Sequence, residues 1–323
     1  MHRRSFLQGT AALAIPGLAL AQDQWPSRPV RIIIPYAAGG GPDVLARYIG
    51  PKLGEALGQA VVFENKVGAA GVLAAQYVAK QPADGYTLLM GSNTHLLQKL
   101  LNPDLKFDPI ADFTAVNNMA SSPTVMVVNA ESPYRSVQDV IAAAKAKSSQ
   151  MNYGSGGIGT SAHLAGATLV SLAGLKATHI PLKGSVEITA SLLRGDTQFA
   201  FPVAATGIPQ VKGGRLRALA VTSTERLKEL PDVPTLREAL KHDLAVQESW
   251  FGFWAPAETP RQIVGKLHAA VNNVLADPAV KAKFEDNGNL VAPTESPDAF
   301  GRFVKAEFRK WDAIVKLASN ATR

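Results

Sequence analysis

The chain has 323 residues, a formal net charge of +7 and no cysteine, with 46% hydrophobic and 18% charged residues. Without cysteine, disulfides, thiolate metal sites, cysteine nucleophiles and a lipid-anchored cysteine are all excluded. The basic excess is modest, its Lys and Arg residues are dispersed and no aromatic-basic module accompanies them, which argues against a nucleic-acid partner and leaves a surface able to draw in anionic solutes.

Residues 1–21 carry the parts of an export signal in order. Arg3 and Arg4 form the positive end, an apolar run follows over 11–21, and Ala19-Leu20-Ala21 is a small-x-small cleavage site before Gln22. The run is too short to span a bilayer, and no later segment is apolar enough to do so. Arg3-Arg4-Ser5-Phe6-Leu7 resembles a twin-arginine signal, with a plain Sec signal as the other reading. Either one places the mature chain in the periplasm. It retains about 300 residues, enough for two domains with a sizeable core each.

The β-branched run over 30–34 predicts a strand ended by Pro35, followed by Gly39-Gly40-Gly41 and a helix over 42–57. Similar units recur: a strand over 60–65 and a helix over 68–80; a strand over 86–90 and a turn at Ser92-Asn93-Thr94; a strand over 125–129 and a helix over 137–147. After Asn152-Tyr153 a second glycine loop, residues 154–159, opens an amphipathic helix over 161–172. Strands are expected at 179–181, 199–203 and 217–222, with a helix over 185–193 between them. Prolines punctuate 231–234 and 256–260, and helices over 261–275, 278–287 and 297–317 close the chain. Strands alternating with helices imply α/β architecture with largely parallel sheets.

Six histidines are present and no two stand at metal-ligand spacing, so no metal is expected. No Gly-x-Ser-x-Gly elbow occurs. Gly154-Ser155-Gly156-Gly157-Ile158-Gly159 does match the dinucleotide pattern G-x-G-x-x-G, but the acidic residue wanted about 20 positions on is missing and Glu187 is the next acid. An exported oxidoreductase with a nucleotide cofactor is therefore the alternative. The leading expectation is a protein that binds a solute, without cofactor or catalysis.

The same glycines suit that reading. A helix begins with unpaired N–H groups and a partial positive charge, and glycines let a small anion approach them. One candidate start comprises Tyr36, Ala37, Gly39, Gly40 and Gly41, with Pro42 at the first helical position and Asp43 in the first turn. The other comprises Ser155, Gly156, Gly157, Gly159, Thr160 and Ser161, with His163 in the helix's first turn. Ser92, Asn93 and Thr94 add a polar cluster after a strand, where open α/β sheets bind ligands. Helix capping for Asp43, backbone pairing for His163 and an ordinary turn for 92–94 are the competing readings.

At these residues the sequence resembles the Bug family, the solute receptors of tripartite tricarboxylate transporters. The likeness runs through Trp25-Pro26-Ser27-Arg28-Pro29, Pro35-Tyr36-Ala37-Ala38-Gly39-Gly40 with Asp43, Asp84-Gly85-Tyr86-Thr87-Leu88, and Gly154-Ser155-Gly156 through His163-Leu164-Ala165-Gly166. It continues in His179-Ile180-Pro181, Lys183-Gly184-Ser185, the Arg217 to Thr222 strand, Leu230-Pro231-Asp232-Val233-Pro234-Thr235 and Trp250-Phe251-Gly252. The resemblance implies a type II periplasmic binding protein, a two-domain Venus flytrap with a discontinuous first domain. On that pattern residues 22–124 and 225–323 form domain 1 and 125–224 domain 2, with hinges near 122–125 and 222–225. It also implies a small organic carboxylate as ligand, membrane components of a transporter or a sensor protein as partners, and a pocket role for Lys183, Gly184 and Ser185. This chain departs from the family pattern in having Ala167, Leu182 and Pro202 where relatives carry a glutamate, a tyrosine and an aspartate. The second domain's side of the pocket is thus expected to be less polar, favouring a ligand with an apolar or aromatic portion over an amino acid.

Overall fold

The structure, a computed structural model, describes residues 25–102, 104–146, 151–286 and 288–321. The export segment expected at 1–21 lies outside the described residues, as does the side chain of Ser185. Two mixed sheets organise the rest. The first runs β11-β4-β10-β3-β1-β2, built from β1 (Val30–Ile34), β2 (Val61–Asn65), β3 (Thr87–Ser92), β4 (Phe113–Pro123), β10 (Glu248–Pro256) and β11 (Leu290–Val291). The second runs β7-β6-β8-β5-β9, from β5 (Val125–Asn129), β6 (Asn152–Ser155), β7 (Thr178–Pro181), β8 (Phe199–Ala200) and β9 (Leu216–Val221). The first sheet draws on two separate stretches of chain, as a discontinuous domain requires.

Helices flank both sheets: α1 (Gly41–Leu57), α2 (Val72–Ala79), α3 (Asn93–Leu101), α4 (Val137–Ala146), α5 (Ser161–Leu172), α6 (Ser185–Arg194), α7 (Ala204–Lys212), α8 (Leu236–Leu240), α9 (Arg261–Ala276), α10 (Pro278–Glu285) and α11 (Pro297–Ala321). Alternation along β1 sends Ile32 and Ile34 into one core with α1 and α9, and Ile33 into another with α2 and Phe300 of α11. Both faces of this sheet are covered, so its central strands carry apolar side chains on both sides. β10 shows this best, with Phe251 and Phe253 on one face and Trp250 and Trp254 on the other.

The sheets are less parallel than the sequence suggested. β1 lies parallel to β2 and β3, and β6 to β7 and β8. β10 runs antiparallel to β3 and β4, β11 to β4, and β5 to β8 and β9. β10 returns from the second sheet and inserts between β3 and β4, running opposite to both. A second correction concerns residues 92–94. Ser92 ends β3 and caps α3, its Oγ accepting from the Thr94 N–H (3.0 Å), while His95 Nδ1 accepts from the Ser92 N–H (3.2 Å); the expected turn is a helix start. The helix expected from 68 begins only at Val72, after a single 3₁₀ turn at Ala69–Gly71.

The two crossing segments, at Thr124 and Gln247, meet side by side with Thr222 of the second unit. The Thr222 N–H donates to the Thr124 carbonyl (3.0 Å) and the Gln247 N–H to the Thr222 carbonyl (2.9 Å). The Thr222 hydroxyl accepts from the Thr124 N–H (2.9 Å) and donates to the Gln247 carbonyl (2.6 Å). Between Thr222 and Gln247 the chain does not return to the first sheet, although the sequence reading ended the second domain at 224. Leu227, Leu230, Leu236 and Ala245 all bury in the second sheet's core. The long helix α11 spans both units, with Phe300 and Val304 in a core of the first sheet and Trp311 and Ile314 in a cluster shared with Leu97 of α3 and Leu164 and Ala167 of α5. One carboxylate oxygen of Glu307 accepts from both the Trp250 (2.9 Å) and Trp311 (3.0 Å) indoles.

Candidate functional site

A cavity of about 620 Å3 opens between the two sheets. Its walls include the starts of α1, α6 and α7, at Gly40-Gly41, Gly184 and Val203. None of the three N-caps makes a side-chain hydrogen bond to its own helix start. The positive ends of three helix dipoles thus meet the cavity without a side-chain cap. Between them the lining is largely apolar, with Pro35, Ala162, Leu182, Ile188 and Phe251 among it. A wider hollow of about 1130 Å3, near Arg261 and Arg302, is formed by other segments and meets neither glycine loop.

The first glycine loop is braced by charge. Asp43 is buried, and its carboxylate accepts from the Gly39 N–H (2.9 Å), from Arg47 Nε (3.0 Å) and from Asn65 Nδ2 (2.7 Å). Burial alone raises its pKa, but the hydrogen bonds from Arg47, Asn65 and Gly39 outweigh this and hold the carboxyl below its ordinary value. Asn65 Nδ2 also reaches the Tyr36 carbonyl (2.9 Å), so one side chain ties both ends of the loop. The Tyr36 phenol pairs with Ser92 Oγ (2.5 Å) and meets Phe251 edge-on at 6.0 Å between ring centroids. Burial pushes the phenol up to about 12, so it stays protonated.

The second loop is braced by neutral groups. Ser155 Oγ accepts from the Gly157 N–H (3.1 Å) and lies 2.6 Å from His179 Nε2. Thr160 Oγ1 donates to the Gly157 carbonyl (2.8 Å), and the Gly159 N–H donates to His163 Nδ1 (3.2 Å). Gly157 and Gly159 take φ of +114° and +81°, which other residues reach only with strain. At the cavity wall, Ser161 and Ser249 close a hydrogen-bonded ring with Asn93 behind them: Asn93 Nδ2 to Ser161 Oγ (3.1 Å), Ser161 Oγ to Ser249 Oγ (2.8 Å) and Ser249 Oγ to Asn93 Oδ1 (3.1 Å). That ring joins β10 and α3 of the first unit to α5 of the second.

Of the residues singled out from sequence, Tyr36, Ala37, Gly40, Gly41, Thr94, Gly156, Gly157, Thr160, Ser161, Lys183 and Gly184 line the cavity. Gly39, Asp43, Ser92, Asn93, Ser155, Gly159 and His163 are not in that lining; Ser92, Asn93 and Ser155 bond to it, and Gly39 pairs with Asp43 and Gly159 with His163 behind it. Pro202 is turned away: its ring packs against Gly207 and its carbonyl accepts from the Val125 N–H (2.9 Å). Ala167 is buried in the cluster with Trp311. Of the three departures from the family pattern, only Leu182 therefore bears on the cavity.

Sequence reasoning missed the wall formed by residues 67–71. Gly68, Ala69, Ala70 and Gly71 all take positive φ (147°, 46°, 51° and 91°), and with Val67 they line the cavity. Two consecutive alanines in the left-handed region mark stored strain of the kind found at binding loops. The available signal was position, since this loop follows the carboxyl end of β2, where α/β sheets hold ligands. Glu187, Val186, Val203, Ser249 and Phe251 were missed as well. Glu187 Oε2 accepts from the Lys183 N–H (2.9 Å), and Val186 is the most exposed large hydrophobic residue described, at 72%.

Residues 45–319 match the model of the tripartite tricarboxylate transporter family receptor. Three solved structures are similar over nearly their whole length. MatC from Rhodopseudomonas palustris with bound malate is 30% identical, with a TM-score of 0.83, covering 90% of this chain and 100% of that one. R. palustris Rpa4515 with adipate is 33% identical, with a TM-score of 0.85, covering 91% and 98%. The periplasmic binding protein BugD is 30% identical, with a TM-score of 0.85, covering 91% and 99%.

Proposed function

The chain belongs to the tripartite tricarboxylate transporter receptor family, and from that premise we propose that it captures a small organic carboxylate with an apolar body between its two lobes, without converting it. The observation that carries this reading is the juxtaposition, around one cavity of about 620 Å3, of three helix starts without side-chain caps and an apolar wall. A carboxylate bound to backbone N–H groups at a helix start gains charge-assisted hydrogen bonds, each on the order of 1.5–3 kcal/mol. The apolar body gains ~25 cal/mol for each Å2 it removes from water, against Leu182, Ile188, Val203 and Phe251. Similar proteins hold malate and adipate, carboxylates with short carbon chains.

In this reading the lobes are residues 25–124 with 247–321, and 125–246. A ligand that touches both of them stabilises the closed form by the contacts it makes only there. The two crossing segments, at Thr124 and at Gln247, are the hinge, and Thr222 of the second lobe bonds to both. The protein works in the periplasm, as the signal-like residues 1–21 and the similarity to BugD support, and hands its ligand to the membrane components of a tripartite transporter or to a sensor.

A thermal-shift screen of the mature protein tests the reading, with aliphatic mono-, di- and tricarboxylates, aromatic carboxylates, amino acids and nucleotides. Ligand at about 100 times its dissociation constant adds ~2.7 kcal/mol to stability. The expected result is a rise in melting temperature with carboxylates that carry an apolar segment. A rise with nucleotides alone would instead support an oxidoreductase, and a rise with amino acids alone would remove the apolar-body assignment.

A further inference from the structure

Two histidines lie under the second glycine loop, outside the cavity lining. His163 is in the first turn of α5 and His179 is on β7; their ring centroids are 4.3 Å apart, and His179 stacks on Tyr153 at 5.0 Å. Each ring holds a different end of the loop. The Gly159 N–H donates to His163 Nδ1, which must therefore be unprotonated, leaving its hydrogen on Nε2. His179 Nε2 meets the Ser155 hydroxyl, which in turn accepts from the Gly157 N–H. Because Gly157 and Gly159 are both left-handed, nothing in their own conformational preference keeps this path once its hydrogen bonds are lost.

We propose that His163 and His179 are positioning residues for ligand capture, the unprotonated Nδ1 of His163 holding the Gly159 N–H and the His179 ring holding Ser155 against Gly157, so that a proton on His163 Nδ1 releases the loop and weakens the grip on the ligand. A protonated Nδ1 would set two N–H donors facing each other at Gly159. This rests on the carboxylate-receptor reading for its consequence, though not for its geometry.

The groups facing the pair are few. β6 brings Tyr153, whose phenol is pushed up by burial and stays neutral. α3 brings the uncharged Gln98, whose Nε2 lies 3.5 Å from the Ile158 carbonyl. The segment bearing Asp243 adjoins the other half of α5, where Gln247 Nε2 bonds Thr168 Oγ1 (2.6 Å), and α11 shares with α5 the apolar cluster around Leu164 and Trp311. Burial lowers both histidines to about 4, helped for His163 by the positive charge its neighbour would carry. A released loop returns them toward about 6.5 and so binds more protons between those values. The support is complete above the upper value and is lost as pH falls toward the lower one.

The test is nitrogen-15 NMR on the whole mature chain labelled at histidine and glycine, joined to adipate affinity across pH. At pH 7, His163 is expected with Nδ1 unprotonated, and the Gly157 and Gly159 amide signals should move with the imidazole titration. His163→Asn, which keeps an acceptor near Nδ1, should bind adipate within about threefold of wild type at pH 7 and lose less affinity in acid. His163→Ala should speed Gly157 and Gly159 amide exchange about tenfold while leaving the β1 amides unchanged. A protonated Nδ1 at pH 7, or His163→Asn with the wild-type pH profile, would overturn the proposal. Should adipate fail to bind, the tautomer and exchange measurements still decide the brace. Failure of every carboxylate with the brace intact would count against the receptor reading alone.

Discussion

The two glycine loops face one cavity from opposite lobes, and they are held by opposite chemistry. Beneath the first, an ionised Asp43 gathers the Gly39 N–H, Arg47 and Asn65. Beneath the second, neutral His163, His179 and Ser155 do the same for Gly157 and Gly159. In both cases the residues that look most reactive in sequence do not face the cavity. They bond to the backbone of the two loops from behind, and so set the shape of the wall that Gly40, Gly41, Gly156 and Gly157 present. The difference lies in what a proton does. Acid strengthens the case for neither brace, but it reaches the imidazoles first, because Asp43 titrates below the ordinary carboxylate value while the released histidines begin to titrate near 6.5.

The largest effect should come from placing a fixed negative charge in the second loop. A Cβ on Gly156 would meet Gly184 Cα at 3.6 Å and Thr160 Cγ2 at 3.8 Å, which is ordinary contact. Gly156→Ala should therefore fold and retain binding, whereas Gly156→Asp should lower carboxylate affinity more than about 100-fold, the cost of an unpaired charge meeting its like. Isothermal titration beside a melting curve separates lost binding from lost fold. Equal affinity in the two variants would remove the second loop from the anion site.

Next comes the first brace. Asp43→Ala removes a buried carboxylate that takes hydrogen bonds from Gly39, Arg47 and Asn65, and should cost about 1–3 kcal/mol by urea unfolding. Asp43→Asn retains one acceptor oxygen and should cost less. If the loops are as independent as their separate braces suggest, Asp43→Ala combined with His163→Ala should give additive losses of stability. A coupling above about 0.5 kcal/mol would show that the cavity transmits strain between them.

The acid response ranks the loops directly. Lowering pH from 7 toward 4.5 should raise amide exchange at Gly157 and Gly159 before it does so at Gly39, since a histidine with a depressed native pKa loses its contribution as pH falls through the range above that value. Simultaneous release of both loops would mean that the whole cleft opens as one unit.

Much of this was legible in the sequence, for identifiable reasons. β1 and α1 declare themselves through Ile32 to Ile34, the Pro35 stop and Pro42, all local signals. The lining glycines followed from the need of a helix start for a close anion. What the sequence hid depends on distant chain. β10 reads as an ambiguous aromatic run because both its faces are buried, and α7 contains Gly207 and Pro209, which argue locally against a helix. The 67–71 wall was obscured because Ala69 and Ala70 occupy a conformation that sequence assigns to glycine. The family resemblance gives Pro202 a place beside the pocket, and packing of its ring against Gly207 turns that position away from the cavity.

The smallest expected effect tests whether the two lobes communicate through the hinge at all. The Thr222 side chain, in the second lobe, joins the two crossing segments, accepting from the Thr124 N–H and donating to the Gln247 carbonyl. Thr222→Val keeps the shape and removes the hydroxyl, leaving that buried N–H unpaired; stability should fall by about 1 kcal/mol. Affinity should move by less than about threefold, because the backbone bonds between Thr222, Thr124 and Gln247 remain. Small-angle scattering with and without ligand supplies the decisive contrast. If both loops capture the ligand locally, the variant closes to the same radius of gyration as wild type. A variant that binds yet stays open would place the coupling between the loops in this single hydroxyl.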